Sequence, residues 1–224
     1  MKHWKLFMAA LLSLTAAPIM QSCDDDDYPC YTDYVPNALV TLKTNSTNGE
    51  FYLQLDDETT LWPTNVKQHP YGGKEVRALV NFRFEGDPKD HPANVHVNWI
   101  DTIRTKPMAA PLGTADDEIY GNDPLEILKD WTTVVEDGYF TLRFSTRFGG
   151  TQVHELNLVK GEGPYEVVLH HNAHGDTYGQ MSDGMIAFRL DQLPDTGDET
   201  VDLTVRWMSF SGEKSATFKY RTRK

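Results

Sequence analysis

Two cysteines in 224 residues, Cys23 and Cys30, leave no disulfide framework, no CxxC pair and no zinc-type cysteine spacing. Helical periodicity is also missing: no stretch keeps apolar residues at helical spacing over three turns, so a helical bundle is excluded. Lys and Arg do not cluster on any predicted face, so the electrostatic footprint of a nucleic-acid partner is absent. There is no GxSxG elbow, phosphate-binding glycine loop or dinucleotide fingerprint. His154-Glu155 opens an HExxH pattern, but position 158 is Leu and the segment alternates like a strand. Asp195-Thr196-Gly197 occurs once, between Leu193-Pro194 and Asp198-Glu199, and reads as an exposed turn. These absences weaken an enzyme reading without abolishing it, because glycosidase-type carboxylate pairs lie far apart in sequence.

What is present starts at the N-terminus. Met1-Lys2-His3-Trp4-Lys5 is short and basic, and the apolar run from Leu6 to Met20 is too short for a membrane span of about 20 residues. Residues 1–22 therefore read as a secretion signal. Met20-Gln21-Ser22-Cys23 is a loose lipobox, which makes Cys23 the lipidated residue and leaves Cys30 as the one thiol. Without lipid, Cys23 and Cys30 could instead close a small loop in the oxidising envelope. Four carboxylates follow directly, Asp24, Asp25, Asp26 and Asp27. This run resembles the acidic export signal of surface lipoproteins in some Gram-negative anaerobes, and it also suits a solvated tether over 23–34. Loss of Lys2 and Lys5 with the signal takes the net charge from −12 to −14, and the excess concentrates in the tether and in 108–123.

Beyond the tether, strand signals dominate. Residues 35–107 hold four or five alternating segments, among them 38–44, 51–55, 75–84 and 94–103, with Asn45-Ser46-Thr47-Asn48-Gly49 as a turn. Such spacing suits a small OB-like barrel. Residues 108–124 lack periodicity, contain Pro111, Gly113 and the triplet Asp116-Asp117-Glu118, and read as a linker. Residues 125–224 hold seven candidate strands, at 131–136, 139–146, 152–159, 165–171, 185–190, 201–210 and 215–220. Glu136-Asp137-Gly138, Gly149-Gly150 and Gly161-Glu162-Gly163-Pro164 separate some of them, a pattern expected of an immunoglobulin-like β-sandwich without its Cys-Trp-Cys core. The fold class is therefore all-β, a small OB-like barrel followed by a sandwich.

The ordered motifs resemble those of the NigD-like lipoproteins. In the first unit they are Ala38-Leu39-Val40-Thr41-Leu42-Lys43, Phe51-Tyr52-Leu53-Gln54-Leu55-Asp56-Asp57, Val76-Arg77-Ala78-Leu79-Val80-Asn81-Phe82 and Ile103-Arg104-Thr105-Lys106. In the second they include Gly121-Asn122-Asp123-Pro124, Asp137-Gly138-Tyr139-Phe140-Thr141-Leu142-Arg143-Phe144, His154-Glu155-Leu156-Asn157-Leu158-Val159 and His170-His171-Asn172-Ala173-His174-Gly175-Asp176. The resemblance implies a lipobox, an OB-like domain and a β-sandwich domain. It implies a bacteriocin-immunity-like role through the gene neighbourhood that named the family, but no catalytic residue and no cofactor.

Two groups of side chains are candidates for a site. Trp62 ends a strand and His69 and Tyr71 follow in a loop, an aromatic arrangement that contacts ligands on small barrels. Trp99, Trp131 and Trp207 are read as core-filling residues. The histidines His154, His171 and His174 are the only plausible metal ligands. Strand alternation sets His170 opposite His171, so no complete zinc set is expected. The function expected is a non-catalytic surface lipoprotein, anchored in the outer membrane by lipid, that binds a protein or glycan. The alternatives are an envelope hydrolase with a metal or carboxylate site and a structural subunit of an outer-membrane assembly.

Overall fold

The computed structural model describes residues 34–87 and 92–223; Cys23, the four aspartates behind it and most of the tether lie outside the described residues. Residues 34–223 form one compact unit. The first half is a closed five-stranded barrel built from β1 (Tyr34–Thr44), β2 (Phe51–Gln54), β3 (Thr60–Pro63), β4 (Val76–Phe84) and β5 (Ala93–Thr102). Its strand order is β1-β2-β3-β5-β4, with β3 and β5 parallel. Alternation puts Val40, Leu42, Leu53, Leu61, Val80, Phe82 and Val95 inside. Ala38, Ala78 and Ala93 keep the interior narrow enough for so short a barrel to close. The β1–β2 turn forms as its residues demand: Asn45 Oδ1 accepts from Thr47 N at 2.8 Å, and Gly49 takes φ 75°.

The second half is a two-layer sandwich. One sheet has the order β10 (Glu155–Lys160), β11 (Glu166–Asn172), β13 (Val201–Ser209), β14 (Gly212–Tyr220). The other has the order β6 (Arg104–Pro107), β12 (Gln180–Arg189), β9 (Tyr139–Phe148), β7 (Glu126–Leu128), and β8 (Val134–Glu136) also pairs with β9. The pairs β6/β12 and β11/β13 are parallel and the remaining pairs antiparallel. Phe140, Leu142, Leu158, Val167, Ile186, Phe188, Leu203, Val205 and Trp207 fill the space between the sheets.

The β9/β12 sheet is covered twice. Phe140, Leu142, Ile186 and Phe188 face the sandwich core, while Ala187 joins the barrel's Leu39 and Ile103 in a separate cluster, with Leu79, Val134 and Met185 against it. A sheet buried on both faces reads as a continuous apolar run, which explains Tyr139-Phe140-Thr141-Leu142, all fully buried.

Three expectations change. Arg104–Pro107, counted with the barrel, pairs with β12 as the edge strand of the sandwich, because the chain leaves β5 directly over the sheet that covers the barrel. The segment 108–124 packs rather than spans: Met108 enters the sandwich core, Ala109 N donates to Leu158 O at 2.8 Å, and a 3-10 turn at Gly113–Ala115 leads into α1 (Asp116–Tyr120). Trp99 and Trp131 lie exposed on the surface, and only Trp207 is a core residue. Among the described residues no helix is long and apolar enough to cross a membrane.

Candidate functional site

The seam between barrel and sandwich concentrates ionisable side chains. Glu136-Asp137-Gly138 makes the β8–β9 hairpin, and Asp137 and Gly138 both take positive φ, the geometry of an Asp-Gly primed turn. This turn drives the Asp137 carboxylate into the seam, where Lys43 Nζ donates to its Oδ1 at 2.6 Å. Asp137 N in turn donates to Asp57 Oδ1 at 2.7 Å, tying the sandwich to the β2–β3 loop of the barrel.

Arg77 is fully buried. Its Nη1 donates to Thr41 at 3.0 Å, its Nε to Thr141 at 3.2 Å, and its Nη2 faces Glu136 at 3.5 Å. Burial pulls its pKa down, and the charges of Glu136 and Asp137 oppose that pull. Tyr139 donates to Glu75 Oε1 at 2.5 Å, and Arg223 also bonds Glu75. Burial, reinforced by Glu75, pushes the Tyr139 phenol up to about 12. Burial also raises the Glu75 carboxyl, but the hydrogen bonds from Tyr139 and Arg223 outweigh it and hold the pKa below the usual value. The guanidinium carbons of Arg77, Arg189 and Arg223 lie 5.9, 5.8 and 5.7 Å from the Tyr139 ring centroid. Every one of these groups is held by partners, and none is set up as a nucleophile.

Along the barrel's outer wall, pairing registers place Lys43 beside Tyr52 and Trp62 beside Asn94. The Tyr52 and Trp62 rings pack at 5.4 Å. His69, by contrast, packs edge-on against Phe51 at 5.1 Å, and Tyr71 N donates to His69 Nδ1. Phe51 points into the barrel and Tyr52 away from it, so the expected trio of Trp62, His69 and Tyr71 is divided between two faces.

In the sandwich, His154 and His171 meet at the end of the core. His154 Nδ1 lies 3.0 Å from His171 Nε2, His171 Nδ1 lies 3.2 Å from Asp123 O, and His154 Nε2 lies 3.6 Å from Asp176 Oδ2. With His171 Nδ1 donating to that carbonyl, its Nε2 accepts from His154. Burial and the neighbouring His154 hold the His171 pKa below the ordinary 6.5. Asp176 accepts backbone N–H bonds from Gly149 at 2.9 Å and Thr151 at 3.0 Å, fixing the β9–β10 loop. His174 turns away at φ 50° and faces Glu155 at 3.8 Å, and His170 bonds Gly121 O on the opposite face. Of the three histidines expected as metal candidates, His154 and His171 thus form a hydrogen-bonded pair and His174 stands apart. Among the described residues no group of three or more His, Cys, Asp or Glu side chains could hold a metal ion.

Residues 39–103 match the family model of the NigD-like N-terminal OB domain, and residues 108–220 match that of the NigD-like C-terminal β-sandwich domain. The chain belongs to the NigD-like family. Its domain pair recurs in a solved Parabacteroides distasonis protein with a toxin-related name, 36% identical, covering 84% of this chain and 94% of that one at a TM-score of 0.71. A NigD-like immunity protein of Bacteroides caccae shares the fold at 18% identity and a TM-score of 0.57, covering 87% and 98% of the two chains. A Bacteroides fragilis protein with lipoprotein in its name does so at 13% and 0.53, covering 84% and 100%. No functionally curated protein matches this chain. The sequence pointed to Trp62 but missed Tyr52, Asp137 and Arg221, which line one cavity where barrel and sandwich meet. The Asp137-Gly138 turn was the one visible signal.

Proposed function

We propose that this NigD-like protein is a lipid-anchored outer-membrane protein, displayed at the cell surface through Cys23 and the acidic run Asp24, Asp25, Asp26 and Asp27, that acts by binding rather than by catalysis. The observation that carries the binding reading is the seam. Two β units are joined by buried ion pairs, and solvent-open clefts of 460 and 270 Å³ lie along the joint. Lys43, Glu75, Arg77, Tyr139 and Arg223 are tied into structural bonds there while Arg221 has no close acceptor, which suits a pre-formed binding surface. Capture of a toxin, the immunity-like role implied by the family's name, is one form of the same action.

The mature protein, offered to panels of envelope proteins, glycans and toxins in calorimetry, is expected to bind one class saturably; no binding to any of them would overturn the reading. Expression of the full chain in a bacteriocin-sensitive strain tests the immunity form separately, with survival as the readout. Cys23→Ala is expected to release the protein from the membrane fraction, and unchanged membrane association would remove the anchor.

A further inference from the structure

The 270 Å³ cavity at the seam is lined by Lys43, Tyr52, Gln54, Asp57, Asp137, Arg221, Thr222 and Arg223, and it holds groups of both signs that are short of partners. The Asp137 side chain is 3% exposed, and while Oδ1 takes the Lys43 bond, Oδ2 is buried with no hydrogen-bond partner and has Arg223 no closer than 3.9 Å. Arg221 is complementary: it approaches Asp57 at 3.9 Å and Glu58 at 3.8 Å, both too long for a hydrogen bond. An acceptor lacking a donor therefore shares one cavity with a fork of donors lacking a close acceptor. Tyr52 forms part of the wall, and Trp62 extends it along the barrel. A second cavity of 460 Å³ shares Asp57 and Arg221 with the first, so the seam has room beyond a single ligand unit.

We propose that this seam is a carbohydrate site for a neutral saccharide. The assignment rests on the binding reading above and names its ligand class. A carboxylated ligand would suit Arg221 but meet Asp57, Glu58 and Asp137; an amine would suit Asp137 but meet Lys43, Arg221 and Arg223. A neutral hydroxyl satisfies both signs, because it donates to an open carboxylate such as Asp57 while accepting from the Arg221 guanidinium 3.9 Å away. Adjacent hydroxyls on a pyranose repeat that pairing, and the apolar face of the ring suits an aromatic wall such as Tyr52.

The test presents the mature protein to an array of neutral, amino and uronic-acid oligosaccharides, followed by calorimetry on any neutral hit with Arg221→Ala, Tyr52→Ala and Tyr178→Ala. Arg221→Ala removes no hydrogen bond of the fold, which separates loss of binding from misfolding, and near-UV circular dichroism checks each variant. The expected result is binding to a neutral oligosaccharide, weakened about tenfold or more by Arg221→Ala and Tyr52→Ala, as the loss of one good polar or stacking contact implies, and unchanged in Tyr178→Ala. A neutral hit that ignores Arg221 and Tyr52, or a preference for charged sugars, would overturn the seam assignment and leave the binding reading standing. So would an array without hits alongside saturable binding of an envelope protein or toxin. Failure in every panel would overturn both.

Discussion

The barrel–sandwich seam and the histidine pair at the end of the sandwich both bury titratable groups, but they solve the problem in opposite ways. The seam keeps its charges and pairs them: Lys43 with Asp137, Arg223 with Glu75, Arg77 with Glu136. The histidine end instead disfavours charge on His171, whose pKa is held below its ordinary value by burial and by the neighbouring His154. A buried pair costs desolvation that its attraction only partly offsets, whereas removing one partner leaves the other stranded. The seam is thus specific and brittle, while the histidine end is quiet until protons become abundant.

The sharpest way to break the comparison is Arg77→Ala. It strips Thr41 and Thr141 of a buried donor, leaves a void and weakens the hold on Glu136, so a loss of about 3 kcal/mol is expected in urea unfolding. Barrel and sandwich should then stop melting together, and an unchanged single transition would show that the apolar contacts of Leu39, Ile103 and Ala187 suffice.

Next in size is Tyr139→Phe, expected to cost about 1–2 kcal/mol near neutral pH by removing the bond to Glu75. It also carries a signature at high pH. The folded phenol keeps its proton up to about 12 while the unfolded one loses it near 10, so the unfolded state binds fewer protons in that interval and stability falls as pH rises through it. The phenylalanine variant should lack this component of the alkaline decline. Glu75 works in the opposite direction: its depressed pKa adds stability above the ordinary carboxyl value that disappears as pH falls through the folded one.

A smaller effect belongs to the histidine end. Because the folded His171 pKa is depressed, the unfolded chain binds more protons below 6.5, and stability declines as pH falls through that value. Between pH 7.5 and 5.5 the Tm should drop, and His171→Gln should shrink that drop by on the order of 2–4 °C for a chain of this size. An identical drop in the variant would place the acid sensitivity elsewhere. The smallest change is expected of Tyr178→Ala, an exposed loop residue whose substitution should alter stability by less than about 0.5 kcal/mol.

Much of this architecture was legible from pattern alone. Strands such as Val201–Ser209 alternate cleanly, and the Asp137-Gly138 turn announces a hairpin. Other elements carried no readable signal. Glu126–Leu128 and Arg104–Pro107 are three and four residues long, too short for periodicity, and become strands because β9 and β12 offer free edges. Trp131 resembled a core residue because large aromatics usually fill cores, yet it sits in the turn before β8.

By itself the sequence determined the strand periods, the turn chemistry and the order of the two units, all of which depend on residues close together in the chain. Only the tertiary structure decided that Arg77 is buried. Within Val76-Arg77-Ala78 the arginine takes the outward position of a barrel strand, ordinarily facing water, and it is the sandwich packed against that wall that excludes water from it. The same packing brings Asp137 and Arg221 into one cavity with Tyr52, across separations no local pattern records, because burial at an interface depends on what covers a face and not on the residues that form it.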